Sequence, residues 1–198
     1  MDEIMEIAER HNLLVIEDCC QAAGASYKGK KVGTMGLTGA FSLNVFKTIT
    51  AGDGGLIITG DEDMYAHMYG IHDQGHSPSR TGVEVGERYI LGLNFRANEV
   101  TGAVALAQLR KIDRICSIMQ DKRRKFKELI AGAEGFQFRS LNDEEGALAT
   151  VCTVIFDDKK QADAVCRTLG TDTVVLISWR GSPKSALFLH SLPEIGRP

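Results

Sequence analysis

Residues 40–59, AFSLNVFKTITAGDGGLIIT, set one lysine between two apolar runs and frame it with small, hydroxylated and glycine residues. Phe41, Leu43 and Val45 alternate with Ser42, Asn44 and Phe46, a period that predicts a short strand, and Leu56, Ile57 and Ile58 predict a second, buried one. Between them lies a loop suited to close backbone approach, because Gly52, Gly54 and Gly55 tolerate positive φ while Thr48 and Thr50 add hydroxyls. Lys47 is the candidate reacting group of this loop, since a desolvated lysine amine is nucleophilic toward a carbonyl. On this stretch alone the plainer reading, a lysine snorkelling from a strand end, outweighs it.

Working outward, the composition bounds the alternatives. The chain has 198 residues, 43% hydrophobic and 25% charged, which describes an ordinary globular chain of one large or two small domains. A net charge of -3, from 23 basic and 26 acidic residues, gives no reason to expect nucleic acid or an anionic membrane as partner. Cys19, Cys20, Cys116, Cys152 and Cys166 show neither zinc spacing nor a secreted disulfide framework. Met1 to Asn12 is charged and amphipathic rather than apolar, and no run approaches membrane-spanning length, so the cytoplasm is the expected compartment.

That opening segment places Ile4, Ile7 and Ala8 on one helical face, and Leu13 to Ile16 then predicts a buried strand. Helix, short link and buried strand belong to an α/β layer structure with a parallel sheet. A lone crossover helix is an unusual start for such a domain, so the chain reads as part of something longer. Glu17 and Asp18 stand where the strand ends, and in open α/β sheets ligands bind beyond the carboxyl ends of strands. Asp18 alone reads as a helix N-cap. Paired with a glycine-framed lysine 29 positions on, it gains a chemical use, because a carboxylate keeps the pyridine nitrogen of pyridoxal phosphate protonated and the ring an electron sink.

The run VIEDCCQAAGASYKGKKVGTMGLTGAFSLNVFKTITAGDGG, residues 15–55, resembles the DegT/StrS family of pyridoxal-phosphate sugar aminotransferases. Agreement lies in the acid pair with Gln21, the Gly24 to Gly36 spacer, Ser42 five before Lys47, and the glycine loop. GIHDQGH at residues 70–76 and GLNFRANEVTGAVALAQLRKID at residues 92–113 look like later family motifs, so the resemblance covers roughly residues 1–130. It implies the aspartate-aminotransferase fold, fold type I, and pyridoxal phosphate as cofactor. It further implies that Lys47 forms the internal aldimine and shuttles a proton at the substrate carbon, and that Asp18 pairs with the pyridine nitrogen. Gln21 would sit by the ring hydroxyl, Ser42 would hydrogen-bond the phosphate, and Asn94 would reach the phosphate of a neighbouring subunit's cofactor in a homodimer. The implied reaction moves an amino group from glutamate or glutamine onto a keto-sugar, often nucleotide-linked. Two departures stand out: Cys19 and Cys20 replace residues more often small and inert, and Asp53 stands where Glu is more usual. The family portion with a second phosphate loop and a stacking aromatic ring has no counterpart here. Dehydratase relatives carry histidine in place of the lysine, so Lys47 speaks against that reaction. The rival of another class is a non-catalytic binding or regulatory module whose loop only grips a phosphate.

The remaining segments are read from their periods. DEDMYAHMY, residues 61–69, predicts a helix with an acidic first turn. His72 and His76 have metal-ligand spacing, but Gly75 and Pro78 interrupt any helix there and no third ligand is evident. Residues 77–86 read as a polar loop. From Asn98 apolar residues recur at three- and four-residue steps, predicting one long bridging helix to about Ile130, with DKRRKFKEL as its solvated face. The expected domains are residues 1–130, the later part of the cofactor-binding domain, and residues 131–178, the start of a small α+β domain marked by Gly132 and Gly135. The latter holds strands at Phe136 to Arg139 and Val151 to Phe156 and a helix at Lys159 to Leu169 with Ala162, Val165 and Cys166 inward. Residues 179–198 carry three of the four prolines and predict an irregular tail.

Overall fold

The structure, a computed structural model, describes residues 1–79, 81, 88–169 and 175–179. The chain forms two compact units, Met1–Cys116 and Ser117–Pro198. The division falls inside a helix rather than at the glycines near 132–135. Trp179, the expected start of the irregular tail, lies in a strand; residues 180–198 of that tail and most of the 77–86 loop lie outside the described residues.

In the first unit, α1 (Asp2–Arg10) carries the Arg10–Glu6 ion pair at 2.6 Å, the i,i+4 spacing its sequence offers. Asp2 at its start holds Lys28 and accepts from the Tyr27 hydroxyl at 3.3 Å, which ties the helix to a hairpin of β2 (Ser26–Tyr27) and β3 (Lys30–Lys31). Both turn residues, Lys28 and Gly29, have positive φ, as a two-residue hairpin turn matching strand twist requires.

The sheet of this unit has the order β1-β4-β5. β1 (Ile16–Asp18) runs parallel to β4 (Thr38–Ser42), with Asp18 opposite Ala40, and β4 pairs antiparallel with β5 (Gly55–Thr59). The buried strand expected at Leu13 to Ile16 is corrected: Leu14 and Ile16 are 75% and 71% exposed, and only Glu17 is enclosed. Leu56, Ile57 and Ile58 likewise lie open, Ile57 at 60%. The reason is position: β1 and β5 are the two edges of a three-stranded sheet, and apolar sequence supplies the demand for burial but not the neighbour. The strand expected over Phe41 to Phe46 stops at Ser42. There the Ser42 hydroxyl accepts from the Asn44 N–H at 3.3 Å and the Asn44 side chain from the Phe46 N–H at 3.2 Å, local bonds that compete with the ladder.

α2 (Glu62–His72) begins as expected, with the Asp61 carboxylate accepting from the Met64 N–H at 2.7 Å. The long helix is broken into α3 (Glu99–Leu109) and α4 (Ile112–Leu129). At the break the Lys111 N–H bonds to Gln108, one residue short of the helical step, and Ile115 opens a new series on Lys111. The offset lets Ile112 and Ile115 join Phe41, Ala51 and Ala105 around the buried Ala23, Leu43 and Ile49. A contact of this kind outweighs the uninterrupted period in the sequence.

In the second unit β6 (Phe136–Phe138) pairs antiparallel with β7 (Cys152–Phe156), and β7 runs parallel to β8 (Val175–Trp179) across α5 (Lys159–Leu169). That crossover is a β-α-β unit. Ala162, with Val154 and Phe156, is buried among Phe126, Phe136, Phe138, Val165 and Cys166, the inner face expected of α5.

Candidate active site

The site is assembled at the carboxyl end of β4. Pairing with β1 sets Asp18 level with Ala40, and two residues further along β4 comes Ser42, after which the chain leaves the sheet. The loop that follows closes on itself: the Leu43 N–H donates to Gly54 at 2.9 Å, the Ala51 N–H to Leu43 at 2.9 Å, and the Thr50 hydroxyl to the same Leu43 carbonyl at 3.0 Å. Gly52 and Gly54 take φ of 88° and 115°, conformations that side chains resist. Lys47 sits at the turn of this loop, its N–H on the Asn44 carbonyl at 3.0 Å and its side chain half-buried.

Asp18 is held ionised. The Cys20 thiol and the Cys20 N–H, the latter at 3.0 Å, bond to its carboxylate and lower its pKa below the ordinary value, and the positive charge of Lys47 acts in the same direction. The thiol also stands 3.8 Å from the Ala40 carbonyl. Asp18 and Lys47 therefore feel each other across the β1–β4 ridge, an amine and a carboxylate set beyond the carboxyl end of a parallel pair. The donor set suits pyridoxal phosphate: an amine for a carbonyl, an anionic carboxylate for a protonated ring nitrogen, a hydroxyl for a phosphate oxygen.

The other expected residues are placed differently. Gln21 is exposed and has no hydrogen bond to Asp18, Ser42 or Lys47 among the described residues. Asn94 lies on the segment that follows the 77–86 loop, bridged by its backbone to Asp73 at the end of α2. His72 and His76 each bond a backbone carbonyl through Nδ1, those of Tyr69 and Asp73, both at 2.7 Å.

A model of the DegT/DnrJ/EryC1/StrS aminotransferase family matches residues 1–177. The chain belongs to this family. GDP-perosamine synthase of Caulobacter vibrioides is 46% identical over 116 residues, covering 57% of this chain and 29% of that protein. L-glutamine:2-deoxy-scyllo-inosose aminotransferase of Streptomyces fradiae is 38% identical over 121 residues, covering 57% and 28%. Among solved structures, an aminotransferase from Psychrobacter cryohalolentis is 31% identical with a TM-score of 0.64, over 73% of this chain and 40% of that one. An E. coli GDP-4-keto-6-deoxy-D-mannose-3-dehydratase with bound hydrated PLP is 25% identical with a TM-score of 0.72, over 85% and 48%. The chain thus spans under a third of these curated relatives and under half of these solved chains. Its architecture is a partial α/β aminotransferase domain of fold type I, as the resemblance implied, and the family match reaches well into the second unit.

In this family member the sequence reading missed the division of labour within the acid pair. Glu17 is 8% exposed and points away from the site: Oε2 accepts from the Gly33 N–H at 2.7 Å, and Oε1 from Met35 at 2.6 Å and Gly36 at 2.7 Å. The two-residue alternation of a strand was the available signal, since adjacent acids on β1 must face opposite ways. Cys19 shares the buried side, and burial, then the charges of Glu17 and Asp18, push its thiol up to about 11. At pH 8 roughly one Cys19 in a thousand is thiolate, so iodoacetamide should leave it unmodified in the folded chain and label it in urea. Mass mapping of native chain in which Cys19 labels as fast as Cys20 would contradict this packing.

Proposed function

We propose that this chain is the part of a pyridoxal-phosphate-dependent sugar aminotransferase that carries the reacting lysine. The reaction moves an amino group from an amino acid, glutamate or glutamine, to a keto-sugar or nucleotide-linked keto-sugar. The observation that carries the reading is an ionised Asp18 at the carboxyl end of the β1–β4 pair, with the loop of Lys47 leaving the sheet at that same end and its charge lowering the Asp18 pKa. It is supported by the relatives named GDP-perosamine synthase and L-glutamine:2-deoxy-scyllo-inosose aminotransferase. The homodimer implied by the resemblance and the cytoplasmic setting expected from the sequence belong to the same proposal. Among the described residues no helix is long and apolar enough to cross a membrane.

Bound at this site, pyridoxal phosphate supplies the electron sink for the carbon whose amino group is exchanged. The chain's own groups divide the remaining work. Lys47 would hold the cofactor through its amine and would take a proton from the substrate carbon and return it. Asp18 keeps the ring nitrogen protonated, which its own lowered pKa allows at neutral pH. Ser42 would donate to a phosphate oxygen, Asn94 to a phosphate oxygen of a neighbouring subunit's cofactor, and Gln21 would serve the ring hydroxyl.

The test is an absorbance titration of the purified chain with pyridoxal phosphate, followed by borohydride reduction and peptide mass mapping. The expected result is a visible-range band and one reduced pyridoxyl group on Lys47, both abolished in Lys47→Ala. Labels scattered over surface lysines, or an unchanged band in Lys47→Ala, would overturn the assignment of Lys47.

A further inference from the structure

The segment carrying Asn94 is not free to choose its place. Gln74 N–H donates to Leu93 at 2.9 Å, Leu93 N–H to Ile71 at 2.8 Å, and Phe95 N–H to His72 at 2.9 Å, so the backbone around Asn94 is stapled to the end of α2. Within this staple lies a buried carboxylate. Asp73 caps α2, is 5% exposed, and holds the Arg96 Nε at 3.3 Å. Arg96 in turn donates from its backbone N–H at 3.3 Å and from the same Nε at 3.2 Å to Asn94 Oδ1. Behind Asp73, the His76 ring bonds its carbonyl through Nδ1 and takes Arg88 at Nε2.

This chain of contacts settles the orientation of an amide. An asparagine side chain turns between two nearly equivalent positions, one offering oxygen and the other nitrogen. Both Arg96 groups that face Asn94 are donors, so the atom toward them is the oxygen. The Asn94 nitrogen is then the group left to meet a ligand, and it has no partner among the described residues. A phosphate oxygen needs a donor; the flipped amide would set oxygen against oxygen.

We propose that Asp73 is a positioning residue which, through Arg96, locks the Asn94 side chain so that its NH2 group is presented to a phosphate ester. The inference rests on the reading of Asn94 as a phosphate ligand. Asp73 itself touches no ligand. Its carboxylate lies 3.3 Å from the Arg96 Nε, and without it that side chain is released to solvent and Asn94 loses the partner that fixes its rotation. Pre-ordering of one side chain is worth about three- to tenfold in affinity.

The first measurement needs no ligand. In the 15N-labelled chain the Asn94 side-chain NH2 pair, identified by its loss in Asn94→Ala, should be a single slowly exchanging pair. It should broaden or collapse toward free-amide behaviour in Asp73→Asn and in Arg96→Gln. Affinity for pyridoxal phosphate and for inorganic phosphate should fall about three- to tenfold in each variant. In the double variant the Asp73 change should add nothing. Arg96 is partly exposed, so Arg96→Gln keeps the test open where Asp73→Asn lowers stability. An unperturbed NH2 pair in both variants, or additive losses in the double variant, would overturn the role of Asp73. Unchanged phosphate affinity in Asn94→Ala would overturn the assignment of Asn94 as ligand and the functional half of the inference with it. Loss in Asn94→Ala beside full affinity in Asp73→Asn and Arg96→Gln would overturn the inference alone.

Discussion

Glu17→Ala should destabilise the first unit by about 3–5 kcal/mol, more than any substitution at the candidate catalytic residues. One carboxylate accepts from three backbone N–H groups, those of Gly33, Met35 and Gly36, and it does so from the covered side of β1. Alanine would leave all three donors without an acceptor in a place water reaches poorly, and each such group costs about 1–3 kcal/mol. No other backbone route can replace the bonds. The turn is packed at contact distance: a Cβ on Gly39 would lie 2.4 Å from the Gly33 Cα, and one on Gly36 would lie 2.5 Å from the Val15 carbonyl. Glu17→Gln should be milder but still destabilising, because its NH2 group would face an N–H donor where an acceptor is required. Urea unfolding followed by circular dichroism gives the stability, and hydrogen exchange at Gly33, Met35 and Gly36 locates it. Protection of these amides undiminished in Glu17→Ala would show that the turn is held by something else. Because this turn sets β4 against β1, the same variant should also lose trapping at Lys47, whereas Lys47→Ala should fold as before.

The second large effect is expected at Gly75, where alanine should cost about 2–4 kcal/mol and release the segment that carries Asn94. Two independent constraints meet there. Gly75 has φ of 83°, which costs a residue with a side chain about 1 kcal/mol. Its added Cβ would also lie 2.1 Å from the Ile90 carbonyl, a backbone atom rather than a yielding side-chain end. That backbone cannot shift alone, because the neighbouring Tyr89 N–H is bonded to the Gly75 carbonyl at 2.7 Å. Gly52→Ala is the control: φ there is 88°, yet the Cβ would meet nothing within 4 Å, so only the conformational part of about 1 kcal/mol applies. Hydrogen exchange at Leu93 and Phe95 should quicken in Gly75→Ala and stay unchanged in Gly52→Ala. Equal behaviour of the two variants would mean the close approach of residues 75 and 90 does not hold the segment.

Much of the local structure was legible in the chain because the relevant physics is local. The acidic first turn of α2 and the inner face of α5 each depend on residues three or four apart. Lys47 was legible as well, through its glycine frame and its distance from an acid, although the chemistry came from the resemblance rather than from the spacing. What could not be read was which apolar residues would find a cover. Leu14, Ile16 and Ile57 have the composition of a buried sheet, and burial depends on neighbours that no local pattern names. The break between α3 and α4 is of the same kind, since a run with no proline or glycine at residues 108–112 has no internal reason to stop.

By itself, then, the sequence determined most element types and the family, and it marked Lys47 and Asp18 as the candidate site pair. Only the tertiary structure decided the roles of the acids: Asp18 at the site with Cys20 and Lys47 in its field, Glu17 turned inward as the anchor of a glycine turn, and Asp73 buried behind Arg96 and Asn94. The physical reason is that a carboxylate's use is set by what donates to it. In this chain Glu17 finds a donor 19 residues away and Asp73 a paired cation 23 residues away, brought within 3.3 Å by a turn and a staple rather than by any spacing along the chain.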